Sequence, residues 1–594
     1  MYRAPLRDMR FVLHELLGDE RLSAYFASVD YSGELADSIL DEAAKFGEGV
    51  LEPINQSGDV EGARWTPDGV QVPQGFKAAY ASYIESGWSQ LAVGEAEGGQ
   101  GMPHLLNAAV EEIMFASNMA FYLGTSLAHG AVGAIVASGT QGITEHVVPK
   151  LVSGEWMATM NLTESQAGSD LALLRTRAVA EGDHYRVFGQ KIFITYGDHD
   201  MTDNIVHLVL ARIDGAPAGT RGISMFLVPK FLLNADGSPG APNDVRCISI
   251  EHKLGLHGSP TCVMAFGEDQ GAIGYLLGEP NSGLAHMFIM MNAARLSVGV
   301  QGLAQSERAF QQALDWSRNR LQGKAPGELT PGPVAIIHHP DVKRMLLSMK
   351  ARIEAMRVLA YTAGIALDTA HRDPDAGVRA AALGRGELLI PIVKGWCTET
   401  AIGVTSTGIQ VHGGMGFIEE TGAAQFLRDV RVASIYEGTT AIQSNDLIGR
   451  KLGRDRGAAM AALIKDLMAD LDALRATDLD TKAAKNAAVE SLVLLRDVTE
   501  GLLLMQTEAP VRALAVSVPY LELCGLVIAG ALMARSAGVA AQALQAGSDE
   551  AGFYKAKLRT VRFYVDQVLP EAYGLARVVK SGAASVTDTD VSLI

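Results

Sequence analysis

The chain has 594 residues, with 67 acidic against 50 basic side chains and a formal net charge of −17. That charge disfavours non-specific binding to nucleic acid or to an anionic membrane, so an anionic ligand has to be met by a few placed arginines. With 48% hydrophobic, 20% charged and only 6% aromatic residues, the composition is that of a soluble, mostly helical protein. Its length predicts roughly three to five domains. Four cysteines, Cys247, Cys262, Cys397 and Cys524, form no CxxC pair and accompany no histidine cluster. This predicts reduced, packed thiols in a cytoplasmic protein, and no metal site. The N-terminus is charged where a signal peptide needs its apolar region. The apolar run from Cys524 to Ala534 stops at Arg535, too short to span a bilayer.

Taken in chain order, residues from about Glu34 to Met157 read as helices, including Leu40 to Phe46 and a Met-rich stretch from Leu105 to Val136. Near Met157 the texture changes to short β-branched runs separated by turn signals such as Asp214-Gly215 and Asp236-Gly237. This is the pattern of an antiparallel β-domain or barrel, and it holds to about Leu277. Helical periodicity returns at Leu284, with Met287, Phe288, Met291, Ala294 and Val298 on one face. It breaks at a Pro/Gly loop over Gln322–Pro333 and resumes to about Leu452. A last helical block carries Leu463, Leu467, Leu471 and Leu474 as a core-packing stripe.

Five segments can carry chemistry. In Ile435-Tyr436-Glu437-Gly438-Thr439-Thr440-Ala441-Ile442-Gln443, Thr440 and Gln443 stand at capping-box spacing, which predicts a helix start there. Glu437 then lies just outside the helix on a glycine-softened turn. An apolar pocket would raise its pKa toward that of a general base. By itself the segment reads at least as well as a surface glutamate before a capped helix. The run Met160-Asn161-Leu162-Thr163-Glu164-Ser165-Gln166-Ala167-Gly168-Ser169-Asp170 crowds hydroxyls and N–H groups beside small residues, as an extended polar cofactor needs or as a turn into a strand provides. In Phe193-Ile194-Thr195, Phe193 can cover a flat ring while Thr195 bonds its edge, or both can belong to a half-buried strand. Gln410-Val411-His412-Gly413-Gly414-Met415-Gly416-Phe417 permits close backbone approach to phosphate or ribose. Asn292-Ala293-Ala294-Arg295 is followed about seven turns later by Arg320 on the same predicted helix, where solvated arginines are the ordinary case.

Together and in this order the segments resemble the acyl-CoA dehydrogenase family over about Glu34 to Leu452. Five motifs recur with compatible spacing: LTExxAGSD, the aromatic-Ile-Thr strand, ExKxGxxxS from Glu251 to Ser259, QxxGGxG and YEGT. The resemblance implies an α+β, mostly α fold: an N-terminal helical domain, a central antiparallel β-domain, a C-terminal four-helix bundle and an extra C-terminal helical module. The implied boundaries are an extension over 1–33, then 34–157, 158–280, 281–453 and 454–594. The opening Tyr2-Arg3-Ala4-Pro5-Leu6-Arg7 and the extra C-terminal block look like the long bacterial branch. That branch includes 3-(methylthio)propanoyl-CoA dehydrogenases and broad-range fatty acyl-CoA dehydrogenases.

Carried over by position, the resemblance makes Glu437 the base that removes the α-proton of an acyl-CoA thioester while the β-hydrogen leaves as hydride to flavin N5. Met160, Leu162, Thr163, Gly168, Ser169, Phe193, Thr195, Arg320, Gln410, Gly413, Gly414 and Thr439 match FAD-contacting positions. Ser169, Asn292, Arg295 and Gly438 match acyl-CoA contacts. Phe193 stands where many relatives have Trp, and Asn292 replaces a common Asp. Leu321-Gln322-Gly323 replaces an aromatic-glycine pair, and His338-His339-Pro340-Asp341 stands where a glutamine is expected. His412 reads as a packed histidine. The resemblance further implies an electron-transfer flavoprotein as acceptor and a homodimer. The readings weighed against it are an acyl-CoA oxidase or flavin monooxygenase on the same fold, and a non-enzymatic flavin-containing DNA-binding relative.

Overall fold

A computed structural model of the chain describes residues 2–324, 327, 332–476 and 478–594; within the expected Gln322–Pro333 loop, residues 325, 326 and 328–331 lie outside these. The chain divides into two compact units. One comprises Met1–Ala44, Pro103–Ala116 and Val298–Ile594, the other Lys45–Met102 and Ser117–Ser297.

The chain opens with helices α1 (Leu6–Arg10), α2 (Asp19–Tyr25), α3 (Gly33–Phe46), α4 (Asn55–Glu61) and α5 (Phe76–Glu85), then α6 (His104–Thr125), α7 (Leu127–Ser138) and α8 (Gln141–Ser153). Between α4 and α5 the expected all-helical stretch holds a hairpin, β1 (Arg64–Thr66) with β2 (Gly69–Gln71), paired antiparallel. Its turn signal, Pro67-Asp68-Gly69, was present, but three-residue strands are too short to show alternation. Asn118 interrupts α6 with φ −158° and ψ 93°. Its Oδ1 accepts a bond from the Phe121 N–H at 3.0 Å and restarts the helix in the manner of an N-cap. Beyond it Met119 and Phe121 are buried, Phe121 edge-on to Phe76 with ring centroids 5.6 Å apart.

The β-rich part of the second unit contains β3 (Trp156–Asn161), β4 (Arg177–Glu181), β5 (His184–Thr195), β6 (Asn204–Ile213), β7 (Ser224–Pro229), β8 (Phe231–Leu233), β9 (Pro239–Pro242), β10 (Val245–Ile250), β11 (Thr261–Phe266) and β12 (Ala272–Leu277). The main sheet has the order β10-β11-β5-β12-β7-β6-β3, with β4 pairing β5 and β6. It is mostly antiparallel, but β3 and β4 each run parallel to β6. Strand β6 is covered on both faces. Val206, Leu208 and Leu210 join one cluster with Trp156, Met225 and Leu227, while Val209 and Ala211 join another with Phe226, Val228 and Phe266. A strand buried on both sides reads as an unbroken apolar run, and such a run carries no sign of its partner's direction.

In the first unit α9 (Gly283–Asn319), from Val298 onward, is followed by α10 (Pro340–Arg372), α11 (Ala376–His412), α12 (Ala423–Val430) and α13 (Thr440–Asp446). The C-terminal block adds α14 (Gly453–Asp455), α15 (Ala458–Ala473), α16 (Leu479–Glu508), α17 (Pro510–Ala515), α18 (Ser517–Gln545) and α19 (Ala551–Phe563). On α15 the stripe of Leu463, Leu467 and Leu471 is buried. Two ionic clusters sit inside this unit. Arg357 bonds Glu112 at 2.6 Å and Glu307 at 2.8 Å, and the Tyr361 hydroxyl donates to Glu112 at 2.8 Å. Lys557 lies 2.5 Å from Asp8 and 2.8 Å from Glu354. Arg7 sits over the Phe553 ring at 3.9 Å, so the N-terminal extension is joined to the C-terminal block.

The sequence expectation about the Cys524–Ala534 run needs correction. Among the described residues the helical stretches His104–Ser138, Gly283–Asn319 and Ser517–Gln545 are long and apolar enough to cross a membrane by length and composition. The α18 window, however, is 89% buried inside the protein.

Candidate active site

The base candidate sits on a strained turn. Arg431–Ser434 form a short 3-10 helix, and after Ile435 and Tyr436 the backbone turns left-handed at Glu437 (φ +54°) and again at Gly438 (φ +89°). For a residue with a Cβ this conformation costs about 1–2 kcal/mol, so surrounding contacts must hold it. The helix cap is one residue earlier than its spacing suggested. Thr439 is the N-cap, its hydroxyl accepting from the Ile442 N–H at 3.3 Å, and Thr440 already belongs to α13. Gln443 therefore does not close a capping box. Its side-chain amide donates to the carbonyls of Glu437 (3.0 Å) and Gly438 (3.2 Å). Glu437 is half-buried. Beside it Tyr436 donates its hydroxyl to Gln301 and packs on the cluster of Val298, Ala401, Val430 and Ala433. Burial, followed by the Glu437 charge, pushes the Tyr436 hydroxyl above its ordinary pKa.

In the other unit the LTExxAGSD run follows β3. The Thr163 carbonyl accepts from the Ile192 N–H of β5 at 2.9 Å, so Leu162–Thr163 and the Phe193–Thr195 strand end are brought together. Between Cys262 and Met264 of β11 the register with β5 shifts from Ile194 to Lys191. Ile192 and Phe193 thus oppose the single Val263, a β-bulge. Phe193 takes φ +61° and is 59% exposed. A bulge of this kind re-aims a side chain, here presenting an aromatic face. Met160, Leu162, Thr163 and Thr195 are half-buried, while Gly168 and Ser169 are exposed. Asp170 caps the turn Leu171–Leu173 through the Ala172 N–H at 2.9 Å.

On α9, Arg295 is buried, its guanidinium donating to Asn292 Oδ1 at 3.4 Å and lying 5.8 Å from the Phe288 ring centroid. Arg320 is exposed just past the end of α9 rather than on it. The departures Leu321-Gln322-Gly323 and His338-His339 have structural duties. Leu321 bridges to Ala335, and the His339 ring bonds the Gln322 carbonyl at 2.7 Å. Gln410, Gly413 and Gly414 are exposed where α11 ends, and Gly413 needs its glycine for φ +61°. His412 is packed, its Nδ1–H donating to the Gly408 carbonyl at 2.7 Å with its ring against Trp316. Burial lowers its pKa.

Two features escaped the sequence reading. Lys191, fully buried on β5, donates to Glu164 at 2.8 Å and to the Leu162 carbonyl at 3.0 Å. Glu164 also accepts from the Arg175 and Thr176 N–H groups and the Thr176 hydroxyl. Burial alone would raise the Glu164 carboxyl, but the Lys191 charge and these bonds outweigh it and hold it down at about 2. Burial lowers Lys191 to about 8, leaving it charged at neutral pH. A lysine within an apolar strand and a glutamate in a loop each signalled the need for a partner. Because the Glu164 pKa is depressed on folding, its stabilisation is present above its ordinary 4.5 and is lost as pH falls toward 2. Glu164→Gln is therefore expected to destabilise by about 3 kcal/mol at pH 7. Thermal melts from pH 3 to 7 should show the gap to wild type narrowing in acid. The second feature, Lys394 on α11, donates to the Gly438 carbonyl at 2.6 Å.

Family descriptions match along most of the chain: the acyl-CoA dehydrogenase N-terminal domain over residues 34–155, middle domain over 159–268 and C-terminal domain over 281–452, and an acetyl-CoA dehydrogenase C-terminal-like domain over 458–590. The chain is 42% identical to the 3-methylmercaptopropionyl-CoA dehydrogenase of Ruegeria pomeroyi, over 100% of this chain and 99% of the relative. It is 34% identical to the broad-specificity linear acyl-CoA dehydrogenase FadE5 of Mycobacterium tuberculosis, over 99% of each. A solved acyl-CoA dehydrogenase complexed with FAD, from Bacillus anthracis, shares the fold with a TM-score of 0.74 at 21% identity, covering 95% of this chain and 90% of that one. These likenesses favour neither the oxidase or monooxygenase reading nor the DNA-binding one. With relatives matching it from end to end, the chain belongs to the acyl-CoA dehydrogenase family, in its long bacterial branch.

Proposed function

We propose that the chain catalyses the FAD-dependent α,β-dehydrogenation of an acyl-CoA thioester to the trans-2-enoyl-CoA, with Glu437 as the α-proton base. The observation that carries this reading is the half-buried carboxylate on a left-handed turn, the single YEGT motif of a chain related end to end to acyl-CoA dehydrogenases. FAD, when bound, supplies the acceptor for the β-hydrogen. The residues present suit it: the exposed aromatic Phe193 on its bulge, the half-buried hydroxyl residues Thr163 and Thr195, and the exposed Gly168 and Ser169. With Met160 and Leu162 these would hold the ring portion. Across the interface of the homodimer, Arg320, Gln410, Gly413 and Gly414 would hold the ADP half, the planar guanidinium of Arg320 suiting a pyrophosphate, and Thr439 would add a further FAD contact.

The chain's own residues perform the proton chemistry. Glu437 takes the α-proton, and an acyl chain seated over it would exclude water and strengthen its attraction for that proton. Its backbone N–H, on the braced turn, is a donor suited to the thioester carbonyl, where negative charge develops as the proton leaves. Arg295, Asn292, Gly438 and Ser169 would contact the acyl-CoA.

For substrate, 3-(methylthio)propanoyl-CoA is the first choice, on the strength of the 42% identical relative, with linear fatty acyl-CoAs second. Anaerobic addition of short, long, branched and methylthio acyl-CoAs to the FAD-loaded protein is expected to bleach the flavin, with the methylthio substrate giving the highest kcat/KM. No bleaching with any of them overturns the activity. The family resemblance supports a cytoplasmic homodimer that passes electrons to an electron-transfer flavoprotein. Rapid peroxide formation on mixing the reduced enzyme with oxygen, or a monomer mass by light scattering, would refute the acceptor or the assembly respectively.

A further inference from the structure

Two left-handed residues in succession, Glu437 and Gly438, leave their carbonyls outside any helical ladder, yet both carbonyls are held. The Gln443 amide donates to both, and the Lys394 ammonium donates to that of Gly438. Both side chains are fully buried. The fit is close: a Cβ on Gly438 would stand 2.8 Å from the Gln443 side-chain nitrogen. One helical turn past Lys394, Glu399 accepts the Thr440 hydroxyl at 2.5 Å, so α11 grips the turn on both sides of Thr439.

The helix that carries Lys394 is itself clamped by the C-terminal block. A Cβ on Gly395 would meet Leu521 of α18 at 2.7 Å, and one on Gly525 of α18 would meet Trp396 at 2.2 Å. Helix α18 also reaches α13, where Ser517 bonds Ser444 at 2.9 Å and Asn445 at 3.1 Å. Close packing at Gly395 and Trp396, the two residues that follow Lys394, fixes where its ammonium can reach.

We propose that Lys394 and Gln443 are positioning residues for the base. They hold the Glu437–Gly438 backbone in its left-handed form and so aim the Glu437 carboxylate, with α18 of the extra C-terminal block bracing the helix from which Lys394 reaches. Both residues bond the carbonyls of the turn, and through them they act on the base. A long cationic side chain suits the task, because a buried carbonyl bonded by a charged donor is held more firmly than by a neutral one. This rests on Glu437 being the base.

The test uses the full-length, FAD-loaded protein with Lys394→Met and Gln443→Leu. Four readouts are taken: FAD per chain, the anaerobic flavin-reduction rate at saturating acyl-CoA from pH 6 to 9, the half-saturating concentration, and amide hydrogen exchange at residues 436–440 without substrate. The expected result is unchanged FAD content and half-saturation within about twofold, with the rate at saturation lower by roughly tenfold to a hundredfold. The acid limb of the pH profile should move, and exchange at Glu437 and Gly438 should quicken. A variant with the wild-type rate and pH profile overturns the proposal, as does one that loses FAD while exchange at 436–440 is unchanged. Should Lys394→Met fail to fold, Gln443→Leu, which leaves the ammonium bonded, decides alone by the same criteria. Failure of wild type to bleach with any acyl-CoA overturns the activity instead; wild-type bleaching with unaltered variants overturns only the positioning role.

Discussion

Glu437→Gln is expected to fold, bind FAD and remain yellow, yet fail to bleach when an acyl-CoA is added without oxygen. The amide is nearly isosteric with the carboxylate and leaves the bracing bonds from Gln443 and Lys394 in place, since those go to backbone carbonyls. What it removes is the only feature of the side chain that can accept an α-proton. General-base catalysis is worth about 10²- to 10⁴-fold. The loss should appear in the reduction rate at saturation rather than in the half-saturating concentration, because the acyl-CoA contacts remain. Stopped-flow absorbance of the flavin reads it directly. Bleaching at the wild-type rate would place the base elsewhere in the chain.

The second large effect is on stability. Arg357 is fully buried between Glu112 and Glu307, and replacing it with Leu leaves two carboxylates in the core without their cation. Breaking a buried pair from one side costs about 3–5 kcal/mol, most of it from the stranded charge rather than the lost bond. Even with Arg357 present, burial raises the Glu112 carboxyl above its ordinary pKa. A carboxyl raised on folding binds more protons folded than unfolded, so its stability falls as pH rises. The Arg357→Leu deficit should therefore be larger at pH 8 than at pH 5. Denaturant midpoints at the two pH values measure it, and a midpoint equal to wild type at both would sink the account. Adding Glu112→Gln and Glu307→Gln should recover part of the loss.

The helix–strand–helix order and the family were legible because periodicity and five spaced motifs survive without knowledge of contacts. The finer errors have particular causes. Two adjacent threonines made the helix start ambiguous by one residue, and only the observed Thr439–Ile442 bond resolves it. The parallel course of β3 along β6 was hidden because both faces of β6 are apolar. The bulge at Phe193 depends on pairing with β11, some seventy residues away in sequence. Lys394 looks like any lysine of a long helix until α13 is folded against α11, so its bond to Gly438 could not be read from spacing. Glu164 and Lys191 were both visible, but 27 positions separate them, and no local pattern joins residues at that distance.

The Asp8–Lys557 contact has a consequence for the order in which the chain acquires its structure. The two residues are 549 positions apart. At a synthesis rate of about 5–20 residues per second, Asp8 leaves the ribosome roughly half a minute to two minutes before its partner exists. Through that interval the first helices, with Phe11 and Met9 destined for full burial, have no C-terminal block to dock on. A nascent chain of this kind offers chaperones the apolar side chains of a charged N-terminal segment, which wait for their partners although they were made first.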